Sequence, residues 1–228
     1  DILFMPTNKK LDLTAKAASR DFLPYKSKYS HVNEKAIPGY YQVFLEDPKI
    51  NVELTSTQRT AYHKYTYATN DTQSVVVDLG FAINWDKATK TAITVEDANT
   101  ISGYRYSMGW AKNQKVFFVA KFSKPITESI ITADKKVVSG KSAEGENTAL
   151  QLFFDSKNSK ELGVKVALSS VSIANAKDNL DKENQQFEKV KTDASAVWNK
   201  ALSKITVETP VDSLKTIFYT ALYHAQVA

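Results

Sequence analysis

The sequence predicts a mainly β protein: a large antiparallel β-sandwich over residues 1–174, a helical linker over 175–210, and the start of a further helix over 211–228. Three observations carry this. About ten short apolar or alternating runs are separated by turn signals at roughly ten-residue intervals, the spacing of a sandwich and not of βαβ units. At Ala174 the apolar period lengthens from that of a strand to that of an amphipathic helix. Glycine and proline, which punctuate the first part, are absent from Asn175 to Thr209.

The first seven residues, DILFMPT, form an apolar strand stopped at Pro6. Residues 8–29 are polar and irregular and predict a long surface loop with one helical turn. A polar loop with His31 and Glu34 opens the next stretch, and Pro38-Gly39 punctuates it. Tyr41, Val43 and Leu45 then alternate with Gln42 and Glu46, as on a strand with one buried face. Asp47-Pro48 makes a turn, Val52 and Leu54 mark a second strand, and Thr57 to Tyr67 a third. Arg59, Ala61, His63, Tyr65 and Tyr67 share one face of it.

Ser74 to Gly80, SVVVDLG, is a continuous β-branched run and predicts a strand covered on both faces. Strands follow at Thr91–Val95, Tyr104–Met108 and Lys115–Ile126, the last ended by Pro125. Asp134 to Gly145 read as turns around a short strand at Val137-Val138, and Ala149–Asp155 and Leu162–Ile173 complete the set. Beyond Ala174, Leu180, Phe187, Val190, Ala194, Val197, Trp198, Ala201, Leu202 and Ile205 fall on one helical stripe. Asp178 and Asp181 near its start and Lys200 and Lys204 near its end suit the helix dipole. Pro210 stops it. A second helix starts near Val211 with Asp212 or Ser213 as cap, and its Leu214, Ile217, Phe218, Ala221 and Leu222 require a partner.

The net charge of +5 does not point to nucleic acid, because only Arg20, Arg59 and Arg105 among the 30 basic residues are arginines. The lysines are scattered beside acids, as on a solvated surface. No apolar run is long enough to span a membrane, and the absence of cysteine excludes disulfides and thiolate metal sites. The chain begins without methionine or signal peptide and ends within a helical pattern, which predicts a longer parent chain.

His31, His63 and His224 form no local metal motif. His63 and His224 are expected to be packing residues. His31 with Glu34 is open to two readings: a pair that contacts sugar hydroxyls or orients a loop, or a turn in which Ser30 or His31 caps and Glu34 pairs with Lys35 or Lys28. Trp198 belongs to the core stripe; Trp85 and Trp110 lie near turns, where burial is the plain expectation and sugar stacking the alternative. There is no glycine-rich phosphate loop or nucleophile elbow. The 25 acidic residues contain no pair that spacing marks as catalytic.

Several segments, in order, resemble glycoside hydrolase family 92: DILFMPT, SHVNEKAIPGYYQV with ELTSTQRTAYHKYTY, ISGYRYSMGWAKNQKVFFVAKFSKPI, VKVALSSVSIANAKDNLDKE, VWNKALSKITV and KTIFYTALYHAQVA. The resemblance implies an N-terminal β-sandwich packed on a C-terminal (α/α)6 barrel, whose first helix would be 211–228. It implies calcium-dependent, exo-acting, inverting hydrolysis of α-mannosides, commonly α-1,2-linked, in N-glycans or mannan. The general acid, the base and the calcium ligands are implied to lie mainly in the barrel, so no catalytic or metal residue is assigned here. His31 and Glu34, with the turn Met5-Pro6-Thr7, are the candidates to line or support the domain junction. The implied partners are mannose-containing glycans and the barrel, and the implied compartment is extracytoplasmic, periplasmic or secreted. A fragment inactive alone is expected; the alternative is an autonomous carbohydrate-binding module.

Overall fold

A computed structural model describes residues 1–15, 19, 22–68 and 72–227. The strands are β1 (Leu3–Thr7), β2 (Glu34–Ile37), β3 (Tyr40–Leu45), β4 (Ile50–Ser56), β5 (Thr60–Tyr67), β6 (Gln73–Asp78), β7 (Lys87–Val95), β8 (Thr100–Met108), β9 (Gln114–Phe122), β10 (Ile126–Ala133), β11 (Lys136–Val138), β12 (Ser142–Gly145), β13 (Thr148–Phe154) and β14 (Glu161–Ser169). Three helices follow: α1 (Ile173–Lys182), α2 (Phe187–Leu202) and α3 (Asp212–Val227). One sheet has the order β1-β6-β13-β10-β11, the other β12-β7-β8-β9-β14-β5-β4-β3-β2. Neighbours run antiparallel, as for β14 between β5 and β9. The antiparallel sandwich expected from the sequence is therefore present. The helical turn expected near the alanines of residues 8–29, and Arg20, lie outside the described residues.

The core lies between the sheets. Val75, Val77 and Leu79 from the smaller sheet meet Ile93, Ile101, Phe118 and Leu162 from the larger one, all fully or almost fully buried. The continuous apolar run of β6 is explained by a second cover. Its Val76 faces away from the core against Leu13, Tyr25 and Ala149, so the segment after β1 lies over the outer face of the small sheet. Backbone polar groups of that cover are satisfied by buried side chains. Gln151 accepts from the Leu11 amide at 3.0 Å and donates to the Lys9 carbonyl at 2.7 Å.

Several boundaries differ from expectation for identifiable reasons. Met5-Pro6-Thr7 is not a turn: β1 continues through it, paired with Val76, Val75 and Ser74 of β6. Because β1 is an edge strand, the missing amide of Pro6 interrupts no ladder bond. Glu34 to Ile37 is a strand and not loop, since it adds to β3 as the outermost strand of the large sheet. Pro125 ends β9 but the chain resumes at once as β10 in the other sheet, anchored by Lys124, whose ammonium donates to Gln73 Oε1 and the Ser159 carbonyl at 2.7 Å each.

The helical stretch is not one uninterrupted helix. β14 stops at Ser169, and Ser172 caps α1 by accepting from the Asn175 amide at 3.1 Å. The chain breaks between Lys182 and Phe187 although no glycine or proline is present. The sheet holds the break. The Glu183 carboxylate accepts from the Thr57 hydroxyl and from the Arg59 amide, the Gln185 amide donates to the Tyr62 hydroxyl at 3.2 Å, and Lys165 donates to Asn184 at 2.6 Å. These contacts outweigh local helix propensity. Either side of the break the helices cover the outer face of the large sheet. Ala176 and Leu180 of α1 meet Val119 and Ala167, and Val190 of α2 is almost fully buried. Leu180 and Val190 each contribute about 1.5–3 kcal/mol by burial. The stripe is only partly a core stripe, because Val197 and Ile205 are exposed.

His63 on β5 is a packing residue as expected. Its ring meets Phe4 edge-on with centroids 5.7 Å apart, and Nδ1 lies 2.7 Å from the Tyr65 hydroxyl. Burial lowers its pKa from 6.5 to about 4. The unfolded chain therefore takes up this proton first as pH falls, so stability is full above pH 6.5 and declines toward pH 4. A His63→Gln variant should lose less stability across that window than the parent, by about 3 kcal/mol at most, in denaturant titrations at fixed pH. Equal slopes for the two proteins would contradict this.

Candidate functional site

The β2–β3 hairpin carries the candidate pair at one end and meets the helices at the other. Ser30 opens a single 3-10 turn over His31–Asn33, with its hydroxyl 3.3 Å from the Val32 amide. The turn brings His31 Nδ1 to 2.5 Å from Glu34 Oε2. Antiparallel pairing sets Tyr41 of β3 opposite Ala36, and its hydroxyl donates to Glu34 Oε1 at 2.5 Å. Both carboxylate oxygens are thus engaged. Tyr29 meets the His31 ring edge-on at 5.6 Å. The His31 side chain is 85% exposed and that of Glu34 20%.

The electrostatics fix the roles available to these groups. The hydrogen bonds from Tyr41 and His31 hold the Glu34 carboxyl below the usual carboxylate range. Glu34 is ionised at neutral pH and cannot serve as a protonated general acid. Burial, and then Glu34, push the Tyr41 hydroxyl up to about 12. With Nδ1 donating to Glu34, the His31 Nε2 has no partner among the described residues and can accept from a hydroxyl. The structure brings together His31 and Glu34. Lys35 and Lys28 form no ion pair with Glu34 among the described residues. Tyr41 and Tyr29 complete the cluster, and nothing in their spacing marked them.

Gly39 turns the hairpin in a left-handed conformation, φ +85°, and a Cβ there would sit 3.0 Å from Ala194 Cβ of α2. The turn thus lies directly on α2, beside Trp198, which stacks edge-on against Tyr223 of α3 at 4.8 Å. Trp198 is half-buried in this junction and not in the sandwich core. Between Ile37 and Pro38 of the hairpin, Leu202 of α2 and Tyr219 and His224 of α3 lies a groove of about 990 Å³. Tyr219 ties the connection between α2 and α3 to it, donating to the Ile205 carbonyl at 3.1 Å. α3 has no buried residue, and Leu214 and Ile217 are exposed.

Met5, Pro6 and Thr7 lie on the small sheet, and no hydrogen bond or ion pair among the described residues joins them to His31 or Glu34. Thr7 instead accepts from the Ser74 hydroxyl through its carbonyl at 3.0 Å. The three histidines stand on separate elements, and no group of three or more His, Asp or Glu side chains gathers among the described residues. Calcium takes six to eight oxygen ligands. No such gathering of acidic side chains is found among the described residues.

Comparison with known proteins decides the family. The model of the glycosyl hydrolase family 92 N-terminal domain matches residues 1–169, and that of the family 92 catalytic domain matches residues 175–228. The chain belongs to glycosyl hydrolase family 92. A family 92 α-mannosidase of Bacteroides thetaiotaomicron, BT3965, is 32% identical, with a TM-score of 0.90 over 99% of this chain and 31% of that one. A structure of the same protein with mannoimidazole gives 0.89. The inverting mannosidase BT2199 of that organism is 25% identical, with a TM-score of 0.82 over 98% of this chain and 29% of its own. An uncharacterized secreted glycosidase of Arthroderma benhamiae is 25% identical over 85% of this chain and 28% of its own length. The chain thus spans under a third of each of these relatives. In family terms, the hairpin belongs to the N-terminal match and the helices it touches to the catalytic match.

The Tyr41 hydroxyl should be what lowers the Glu34 pKa. In Tyr41→Phe, the Glu34 side-chain carbon followed by NMR should titrate at higher pH than in the parent. An unchanged or lower midpoint would contradict the cluster described here.

Proposed function

We propose that the chain is the N-terminal sandwich of an exo-acting, inverting α-mannosidase, shaping the sugar site at its junction with a C-terminal (α/α)6 barrel. In this reading the substrate is α-1,2-linked mannose of N-glycans or mannan, the enzyme works outside the cytoplasm, and calcium is held by the barrel. One observation carries the reading: a single hairpin bears the His31–Glu34–Tyr41 cluster and rests by Gly39 on α2, within the segment matching the catalytic domain.

The chemistry follows from the charges. Inverting hydrolysis needs a protonated carboxylic acid at the leaving oxygen and a second carboxylate that activates water, about 6.5–9.5 Å apart. Glu34, doubly hydrogen-bonded and held ionised, suits neither protonation of the leaving group nor free attack on water. Its role is to orient His31, whose Nε2 meets a sugar hydroxyl. Positioning of this kind acts through the geometry of the bound substrate. The exposed Leu214 and Ile217 of α3 are covered by the remaining helices of the barrel in this reading. The mannosidase relatives and the complex with mannoimidazole support the substrate class, and the secreted relative supports the compartment. Met5, Pro6 and Thr7 support the junction from the edge of the small sheet, through the strand and not as a turn.

The test is reconstitution. The chain alone should release no mannose from an α-1,2-mannobiose, and mixing it with a separately produced family 92 barrel should restore release. In the mixture, Glu34→Gln should lower kcat/KM by about tenfold or more with the pH profile of the acid and base unchanged. A folded pair without activity, or a chain active alone, would overturn the reading.

A further inference from the structure

Trp85 and Trp110, for which burial is the plain expectation and sugar stacking the alternative, are at the surface. Trp85, in the connection from β6 to β7, is 64% exposed, and Trp110, in the connection from β8 to β9, is 87% exposed. Their rings stand together, centroids 5.8 Å apart and tilted by 53°. We propose that Trp85 and Trp110 form a stacking platform for a glycan chain.

The two loops that carry the pair are held together at their neighbouring residues. Arg105 of β8 is 2% exposed and donates through Nε to the Leu79 carbonyl at 2.8 Å, and its Nη2 lies 2.6 Å from the carboxylate of Asp86. That ion pair fixes the residue next to Trp85. A Cβ on Gly109 would sit 3.0 Å from Asp86 Cα, so the loop before Trp110 lies directly on the same residue. A buried charge pair therefore positions both loops, and the indoles gain no core burial in return. A ligand that covers these rings removes apolar surface from water without having to order them first.

The chemistry of the patch selects a sugar. The negative face of an indole attracts the weakly positive C–H face of a pyranose ring. Two rings tilted by 53° offer adjoining faces to successive sugar rings that are themselves tilted. Asn84, Lys112 and Asn113 are exposed on the same two loops and supply donors and acceptors for hydroxyl groups. The pair stands away from the hairpin cluster, since β8 is five strands from β3, about 24 Å across the sheet. The inference takes its ligand class from membership of a glycosidase family and does not depend on the hairpin cluster.

The experiment is an NMR titration of the full chain with an α-linked mannooligosaccharide, following the three indole N–H signals. Those of Trp85 and Trp110 should shift and that of Trp198 should not. Trp110→Ala should weaken binding at least about tenfold while leaving the melting temperature unchanged, because the ring is exposed. Absence of shifts at saturating millimolar sugar, or an unaltered binding curve in both Trp85→Ala and Trp110→Ala, overturns the proposal. Shifts that follow protein concentration instead of sugar would make the patch a protein interface and overturn it too. Loss of binding in Glu34→Gln with Trp110→Ala unaffected would place the sugar at the hairpin, against this proposal but not against the function proposed above.

Discussion

The docking of the helical segment onto the outer face of the large sheet is the constraint on which the rest depends. An antiparallel sheet can leave one face to water, but this one is covered on both. The inner face meets the small sheet, and the outer face meets α1, the break after Lys182, and α2. Tyr62 shows the consequence within one strand. On β5, Tyr65 and Tyr67 are buried in the core with Ala61 half-buried beside them, and Tyr62, on the opposite face, is equally buried while facing the helices.

The anchor is polar more than apolar. Glu183 takes hydrogen bonds from Thr57 and Arg59, and Lys64 bridges Glu53 at 3.0 Å and Glu188 at 2.8 Å. Ion pairs at a surface contribute little each. Here they fix direction, and Leu180 and Val190 supply the burial. Because α2 is held this way, the hairpin turn at Gly39 has a rigid surface to rest on. The groove between hairpin, α2 and α3 is therefore shaped by the sandwich, although its helices belong to the catalytic match.

Much of this was legible in the chain. Alternation in Tyr41, Val43 and Leu45 and the unbroken run at Val75 to Val77 stated which strands have one covered face and which have two. What escaped depended on contacts remote in sequence. The break at residues 183–186 has no local signal, because Tyr62 and Thr57 hold it from over a hundred residues away. β2 looked like loop because an edge strand with exposed side chains shows little apolar alternation. Of the candidate site, His31 and Glu34 could be named from their spacing and from family likeness. Tyr41 and the Gly39 contact could not, since strand register and helix docking bring them there. Trp85 and Trp110 were misjudged because composition argues for burying indoles, while both stand on connecting loops that leave them 64% and 87% exposed.

If the helices are lashed to the sheet as described, the sandwich and the helical segment are one folding unit. Native-state hydrogen exchange measures this directly, residue by residue. Amides in α1 and in the middle of α2 should open with the same free energy as those of β5 and β14. Exchange of the helical amides through a low-energy opening, with the sheet still fully protected, would show two loosely connected parts and contradict the account.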